Sequence, residues 1–488
     1  MKNYRIHSCL RPLQKGWRPI WLINSAGALS LLLGACSFTP QETGTALTPP
    51  AAWKTAAPQA GWVNADQARV WKAGRWWALF GDAQLDALMP QVEVSNQNLA
   101  QAVANVAQAQ ALLRQQQAAL WPTVGASASA NRAGGQDTAT THSGSVGLNV
   151  SWAPDLWGKL GDAARAQGAS VQASQADLAA ARLSAQGSLA QAWFALREAD
   201  AEMALMDDII TGYERSAKIT QNRYDAGIAA RTDALQAQST LENARASRVA
   251  LQRSRALSEH AIALLVGRAP ADFSLPVAPW IDTVPAIPAG VPAELLLRRP
   301  DVAATERAVA AANARIGVAR SAYFPQLTLS GGIGSSGSNL LDAISAPKML
   351  WSLGVALAQV VFDAGARTAA VDQAVAAHDG ATAAYRQAAL SAMKDVEDQL
   401  TGLQTLAEQV ERTRAAAAAA AGAEQRILNS YQAGLSAYTD VVTAQATALN
   451  ARRAVMQLQL QRQQSAVSLV QALGGGWQAP WGQAAPAG

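Results

Sequence analysis

The side chains that could do chemistry in this chain are few, and the most suggestive of them occur twice. Asp233 and Asp440 follow matching turns, one in RYDAGIAARTDALQAQ from Arg223 and one in SYQAGLSAYTDVVTAQ from Ser430. A carboxylate just past a turn can cap the helix that follows. That role is not catalysis. No HExxH and no GxSxG elbow occurs, and His142, His260 and His378 are too scattered for a metal site. Gly332, Gly334 and Gly337 in GIGSSG have the spacing of a dinucleotide loop, but such a loop must open a helix in a βαβ unit. Pro347 ends any helix there early and an alternating strand follows, so the segment reads as a Gly/Ser-rich hairpin loop facing outside. No enzyme activity, cofactor or metal is expected.

Cysteine chemistry points elsewhere. Residues 1–35 carry Lys2, Arg5, Arg11, Lys15 and Arg18 with no acid, then the apolar run PIWLINSAGALSLLLGA. That order is a secretory signal rather than a spanning helix. The junction Leu33-Gly34-Ala35-Cys36 has the form of a bacterial lipobox, which would make Cys36 the mature N-terminus, carrying S-diacylglycerol and N-palmitoyl groups. Ser37 follows it, which favours the outer over the inner membrane. Cys9 is removed with the signal, so no disulfide framework is expected. The net charge of +4 also belongs to the leader: of 39 basic residues five lie there, leaving 34 against 35 acidic. With no basic stripe left, nucleic-acid binding drops out.

The elements that must hold the paired turns are themselves paired. Between Tyr224–Arg245 and Tyr431–Arg452, twelve aligned positions are identical, among them Gly227/Gly434, Asp233/Asp440, Gln238/Gln445 and Asn243/Asn450. Trp121-Pro122 matches Phe324-Pro325, DLWGK from Asp155 matches FDAGA from Phe362, and LVG at Leu265 matches ALG at Ala472. A repeat of this length is one structural unit used twice. Each unit is expected to run helix (Asp82 to Leu120; Ala293 to Ala322), two strands, a very long helix, the turn, and a return helix. The resulting plan is a signal at 1–35, an extended segment at 36–81, a first repeat at 82–269, a Pro-rich connector at 270–292, a second repeat at 293–474 and a flexible tail at 475–488. From Gly158 to Tyr224 there is no proline, which predicts a helix roughly 100 Å long. Leu189, Leu196, Met203 and Ile210, with Ala192, Ala199, Met206 and Tyr213, form a heptad seam.

Strands are predicted where apolar and small polar residues alternate. In TVGASASAN, Val124, Ala126, Ala128 and Ala130 oppose Ser127, Ser129 and Asn131; in SVGLNVSW, Val146, Leu148, Val150 and Trp152 oppose Asn149 and Ser151. QLTLSGGI and WSLGVALAQ repeat the pattern with Leu327, Leu329, Ile333 and with Trp351, Leu353, Val355, Leu357. A soluble hairpin would show one apolar face too. The small polar second face suits a barrel lumen, and Trp121, Trp152, Trp157, Tyr323, Phe324, Trp351 and Phe362, read as marking the strand ends nearest the helices, suit a membrane interface. Four strands cannot close a barrel in lipid, so membrane-spanning strands would require an oligomer.

These features, with RRPDVAATERAVAAANARIGVARSAYFPQLTLSGGIG from Arg298, the lipobox, DLWGK and both YxAG turns, closely resemble the outer-membrane channels of tripartite efflux systems, the TolC/NodT type, in its lipoprotein branch. The resemblance covers essentially the whole mature chain. It implies an α plus membrane-β fold: a homotrimer with a twelve-stranded outer-membrane barrel on a long periplasmic α-helical barrel. It also implies a periplasmic adaptor, an inner-membrane pump of the resistance-nodulation-division type, and export of small molecules such as drugs. The YxAG turns with Gly227 and Gly434 would form an iris at the periplasmic tip. Asp440 would face the pore, with Thr439 and Thr443 beside it, and the Tyr431 hydroxyl would bond the Asp233 carboxylate as a latch. Ser436 stands where a latch arginine can occur, and Thr443 where a second pore acid often does, so fewer charged bonds are expected at this tip. Asp233 and Asp440 as simple helix caps remains open beside these roles. Other readings are a duct for type I protein secretion or metal-ion efflux, and a lipid-anchored periplasmic coiled-coil protein with soluble hairpins.

Overall fold

The structure is a computed structural model that describes residues 39–40, 50–55, 74–287, 298–345 and 348–481. Cys36 and the leader lie outside the described residues. The described elements, in order, are α1 (Ala83–Ser95), α2 (Gln97–Ala118), β1 (Thr123–Gly135), β2 (Thr138–Trp152), α3 (Lys159–Asp225), α4 (Arg231–Leu265), α5 (Pro300–Ser321), β3 (Gln326–Gly337), α6 (Leu340–Ser345), β4 (Met349–Ala358), α7 (Ala366–Gln432) and α8 (Tyr438–Ala472). The repeat is kept to the residue: α3 and α7 are both 67 residues long, α4 and α8 both 35, and matching ends are offset by 207 positions. Proline-free, Ala- and Gln-rich sequence lets each long helix continue without a break. No described helix is long and apolar enough to cross a membrane, which says nothing of a β-barrel.

The chain divides into two compact units. In the larger, helical unit the seam expected on α3 is buried at Leu189, Leu196, Ala199, Met203, Met206 and Tyr213. Large aromatics complete the core: Phe80 and Phe194 lie 5.0 Å apart, and Trp193 Nε1 donates to Asp82 Oδ2 at 2.6 Å. The same Asp82 caps α1 by accepting from the Gln84 and Leu85 backbone N–H groups. Arg197, almost fully buried, bonds Asp200, Gln84 and the Pro276 carbonyl and sits 4.2 Å over the Trp193 ring.

Three expectations are corrected here. The single helix from Asp82 to Leu120 is two, because Asn96 leaves the helical conformation. Its side chain caps α2 and donates to the Leu265 carbonyl at 3.0 Å. The segment at 36–81 is not extended throughout: a 3-10 turn, Trp76–Phe80, drives Trp76, Trp77 and Phe80 into the core. The tail is packed rather than loose over residues 475–481, where Trp477 and Trp481 meet edge to face and lie against Ala176, Ala303 and Ala304, while 482–488 lie outside the described residues. The connector is pinned by side chains of the return helices, with Trp280 donating to Gln463 and Gln459 to the Asp282 carbonyl.

The smaller unit is one antiparallel sheet, ordered β1-β2-β3-β4. Its register stacks Val124 on Val150, Ala126 on Leu148, Leu148 on Ile333 and Ile333 on Trp351, so one face is apolar across all four strands. The other face carries Ser127, Ser129, Ser145, Asn149, Ser330 and Ser352, with Ser129 and Ser145 hydroxyls 2.9 Å apart and Asn149 donating to Ser127. Gly332, Gly334 and Gly337, expected in a loop, lie within β3. The period-two alternation of SGGIGSSG continues the strand, and the glycines allow close approach from neighbouring backbone. Among the described residues, the outer edges of β1 and β4 have no partner strand.

Candidate functional site

Each repeated turn begins as a helix end whose last carbonyls need donors. In the first, Gly227 N–H bonds the Tyr224 carbonyl at 2.9 Å and Ile228 N–H bonds Arg223 at 2.8 Å; in the second, Gly434 bonds Tyr431 at 3.0 Å and Leu435 bonds Ser430 at 2.8 Å. This is the Schellman arrangement, which requires a left-handed residue at its centre. Gly227 and Gly434 supply it, at φ +74° and +78°. The chain then re-enters a helix at Arg231 or Tyr438, with Asp233 and Asp440 at the third helical position. Asp440 accepts from the Ala437 N–H at 3.3 Å, so it does cap α8, although its side chain is exposed.

The residues expected at the constriction share one surface. Thr439, Asp440, Thr443, Thr447 and Asn450 are all exposed, while Tyr438, Val441, Ala444, Gln445 and Ala448 are buried on the other side of α8. Thr443 and Thr447 hydroxyls turn back onto the carbonyls of Thr439 and Thr443. The stripe is therefore one acid followed by small hydroxyls and an amide.

Within the single chain, the expected Tyr431–Asp233 hydrogen bond is not formed. The Tyr431 hydroxyl is buried without a hydrogen-bond partner among the described residues. Its ring packs edge to face on Tyr438, 5.2 Å away, in a cluster with Ala237 and Val441. The Tyr438 phenol is pushed up to about 12, first by burial and then by Tyr431 and Asp233, with Thr220 opposing. A polar contact that ties the hairpins runs through Arg223. Its guanidinium sits 4.9 Å over the Tyr431 ring and donates to the carbonyls of Tyr431 at 3.3 Å and Gln432 at 3.5 Å. Orphan carbonyls at a helix C-terminus attract a cation in this way. The sequence signal was available: within otherwise matched turns, Arg223 faces Ser430 in the repeat alignment. Ser436 instead donates to the Ile427 carbonyl.

A second polar group was not anticipated. Glu198 and Glu202 lie one turn apart on α3, and Arg453 of α8 pairs with Glu202. Glu198 Oε1 is buried with no hydrogen-bond partner among the described residues. Burial, aided by Glu202 and opposed by Arg453, pushes the Glu198 carboxyl up to about 7.

The aromatics on the sheet unit fall into two sets. Trp157 stacks on Phe324 at 5.1 Å and donates to the Pro325 carbonyl, and Trp152 donates to the Leu120 carbonyl. Trp121 and Phe362 are exposed beside them in the chain. Trp351 does not belong with these. It is the third residue of β4, opposite Ile333, so it lies toward the sheet end remote from the long helices. The antiparallel path forces this, because β4 enters the sheet from the β3–β4 connection.

Comparison with known proteins fits this geometry. The outer membrane efflux protein family model matches residues 88–268 and 291–475. The pyoverdine export outer membrane protein OpmQ of Pseudomonas aeruginosa is 32% identical over 465 residues, covering 92% of this chain and 95% of its own length. The cation efflux system protein CusC of Escherichia coli is 29% identical over 456 residues, covering 92% and 98%. The solved outer-membrane channel OprN superimposes with a TM-score of 0.83 at 28% identity, covering 90% of this chain and 99% of that one. The chain thus belongs to the outer membrane efflux protein family, as the outer-membrane channel of a tripartite efflux pump with a periplasmic helical domain.

Proposed function

We propose that three copies join β1 of one to β4 of the next, making a twelve-stranded barrel that continues into a helical tunnel. The observation that carries this is the sheet: one face apolar on every strand, the other polar, and two edges unpaired among the described residues. An open edge in lipid leaves backbone groups unsatisfied, so closure by neighbours is required. Cys36 anchors each copy through its lipid. The two turns of each copy form the periplasmic iris, where Asp440, Thr439 and Thr443 line the constriction. A periplasmic adaptor meets these tips, where Ile228 and Leu435 stand exposed, and links the channel to an inner-membrane pump of the resistance-nodulation-division type. The cargo is small molecules such as drugs, selected upstream: relatives named for pyoverdine export and for cation efflux share one architecture, as a wide passive duct allows.

Native mass measurement followed by planar-bilayer recording tests this. A trimer giving discrete, cation-selective openings supports the assignment. A folded trimer that stays silent even with Arg223→Ala at its tips overturns the channel gate, and a monomeric protein overturns the barrel.

A further inference from the structure

The β3–β4 connection holds a short helix whose position on the sheet is unusually well specified. Gly144 and Gly337 are opposite one another in the β2–β3 register and lie on the apolar face, in line with Val146, Leu148 and Ile333. A Cβ on Gly144 would stand 2.4 Å from the backbone of Asn339 and Leu340. A Cβ on Gly337 would stand 2.7 Å from the Ala343 amide. Both positions need glycine because α6 lies flat against the apolar face there, with Ala343 buried beneath it. The helix is not folded over the polar face.

Its outward side is apolar as well. Leu341 is 77% exposed and Ile344 62% exposed, while Asp342 is held by Asn339 and Ser338. The depth follows from the register. Trp152 and Gly144 are eight residues apart on β2, about 26 Å along a strand and about 20 Å across the membrane at the usual tilt of spanning strands. An apolar band is about 25 Å tall, so Gly144 lies near its outer limit. Arg132 and His142, paired one step farther out on the same face, mark where water begins. On the same face, Ala126, Ala128, Val146, Leu148, Ile333 and Met349 line an open depression of about 510 Å³.

We propose that α6 is a lipid-facing element, which inserts Leu341 and Ile344 among the acyl chains of the outer leaflet. The helix has the character of a short interfacial segment, apolar where it meets the chains and polar where it meets the headgroups. Its surface is continuous with the face that β1–β4 present to lipid, and it rests on that outer-membrane placement.

The test labels Leu341→Cys and Ile344→Cys, one at a time, with a nitroxide in the full chain, reconstituted in vesicles of phosphatidylethanolamine and phosphatidylglycerol. Accessibility to oxygen and to a water-soluble nickel chelate is then read by power saturation. Leu353→Cys on the apolar face and Leu350→Cys on the polar face serve as references, and the parent chain as blank. Labels at 341 and 344 are expected to match Leu353, with an oxygen-to-nickel ratio several-fold above that of Leu350. A nickel-dominated ratio at both positions overturns the proposal. If Leu353 itself is nickel-accessible, the membrane placement of the face fails instead. Gly144→Leu in a protein that still forms its native oligomer should lift the helix and raise nickel access at 341. An unchanged label there overturns the glycine seat.

Discussion

Removing the Arg223 side chain should loosen the periplasmic tip. Arg223 joins the end of α3 to the end of α7, through two carbonyls at 3.3 and 3.5 Å and the Tyr431 ring at 4.9 Å. A charged donor to a carbonyl contributes about 1.5 kcal/mol at good geometry, less at these lengths. A half-exposed cation–π contact adds about 0.5–1 kcal/mol. Arg223→Ala therefore costs the clamp about 1–2 kcal/mol per copy, or about tenfold in its local equilibrium. With three tips in the proposed trimer, the open probability in a planar bilayer should rise by well over tenfold. Arg223→Lys, which keeps the charge but not the planar stack, should fall between. Tyr431→Phe should change little, because its hydroxyl has no hydrogen-bond partner among the described residues. The reasoning is refuted if Tyr431→Phe opens the channel while Arg223→Ala leaves it closed, since the hydroxyl would then carry the latch.

Three further outcomes are expected. Asp440→Ala should weaken cation preference, read as a reversal-potential shift across a salt gradient; unchanged selectivity would remove Asp440 from the pore. Gly434→Ala meets no atom within 4 Å but must hold φ near +78°, so strain alone should cost about 1–2 kcal/mol. Faster hydrogen exchange at Leu435 would report it, and unaltered protection there would contradict it. Glu198 binds its proton more tightly folded than unfolded, with a value raised from 4.5 to about 7. Stability from this group is therefore full below pH 4.5 and falls as pH rises toward 7, by up to about 3 kcal/mol. Glu198→Gln should remove that slope from melting curves between pH 4.5 and 8, and an identical slope in both proteins would rule the group out.

Much was legible in the sequence because it is local. The 207-residue repeat, the proline-free helices, the left-handed glycines and the sorted sheet faces all follow from periodicity and backbone sterics within single segments. What tertiary structure decided was which distant groups meet. Asn96 looks like helix interior until the Leu265 carbonyl, 169 residues away, draws its amide. Tyr431 looks like a hydroxyl latch until Arg223, 208 residues away, covers its ring and leaves the hydroxyl alone. Trp351 looks like its aromatic neighbours until the antiparallel path carries it to the other end of the sheet. Trp477 and Trp481 look like a loose tail until Ala176, Ala303 and Ala304 offer a surface small enough to pack on. A side chain's type limits the partners it can satisfy; only the fold brings one of them within reach.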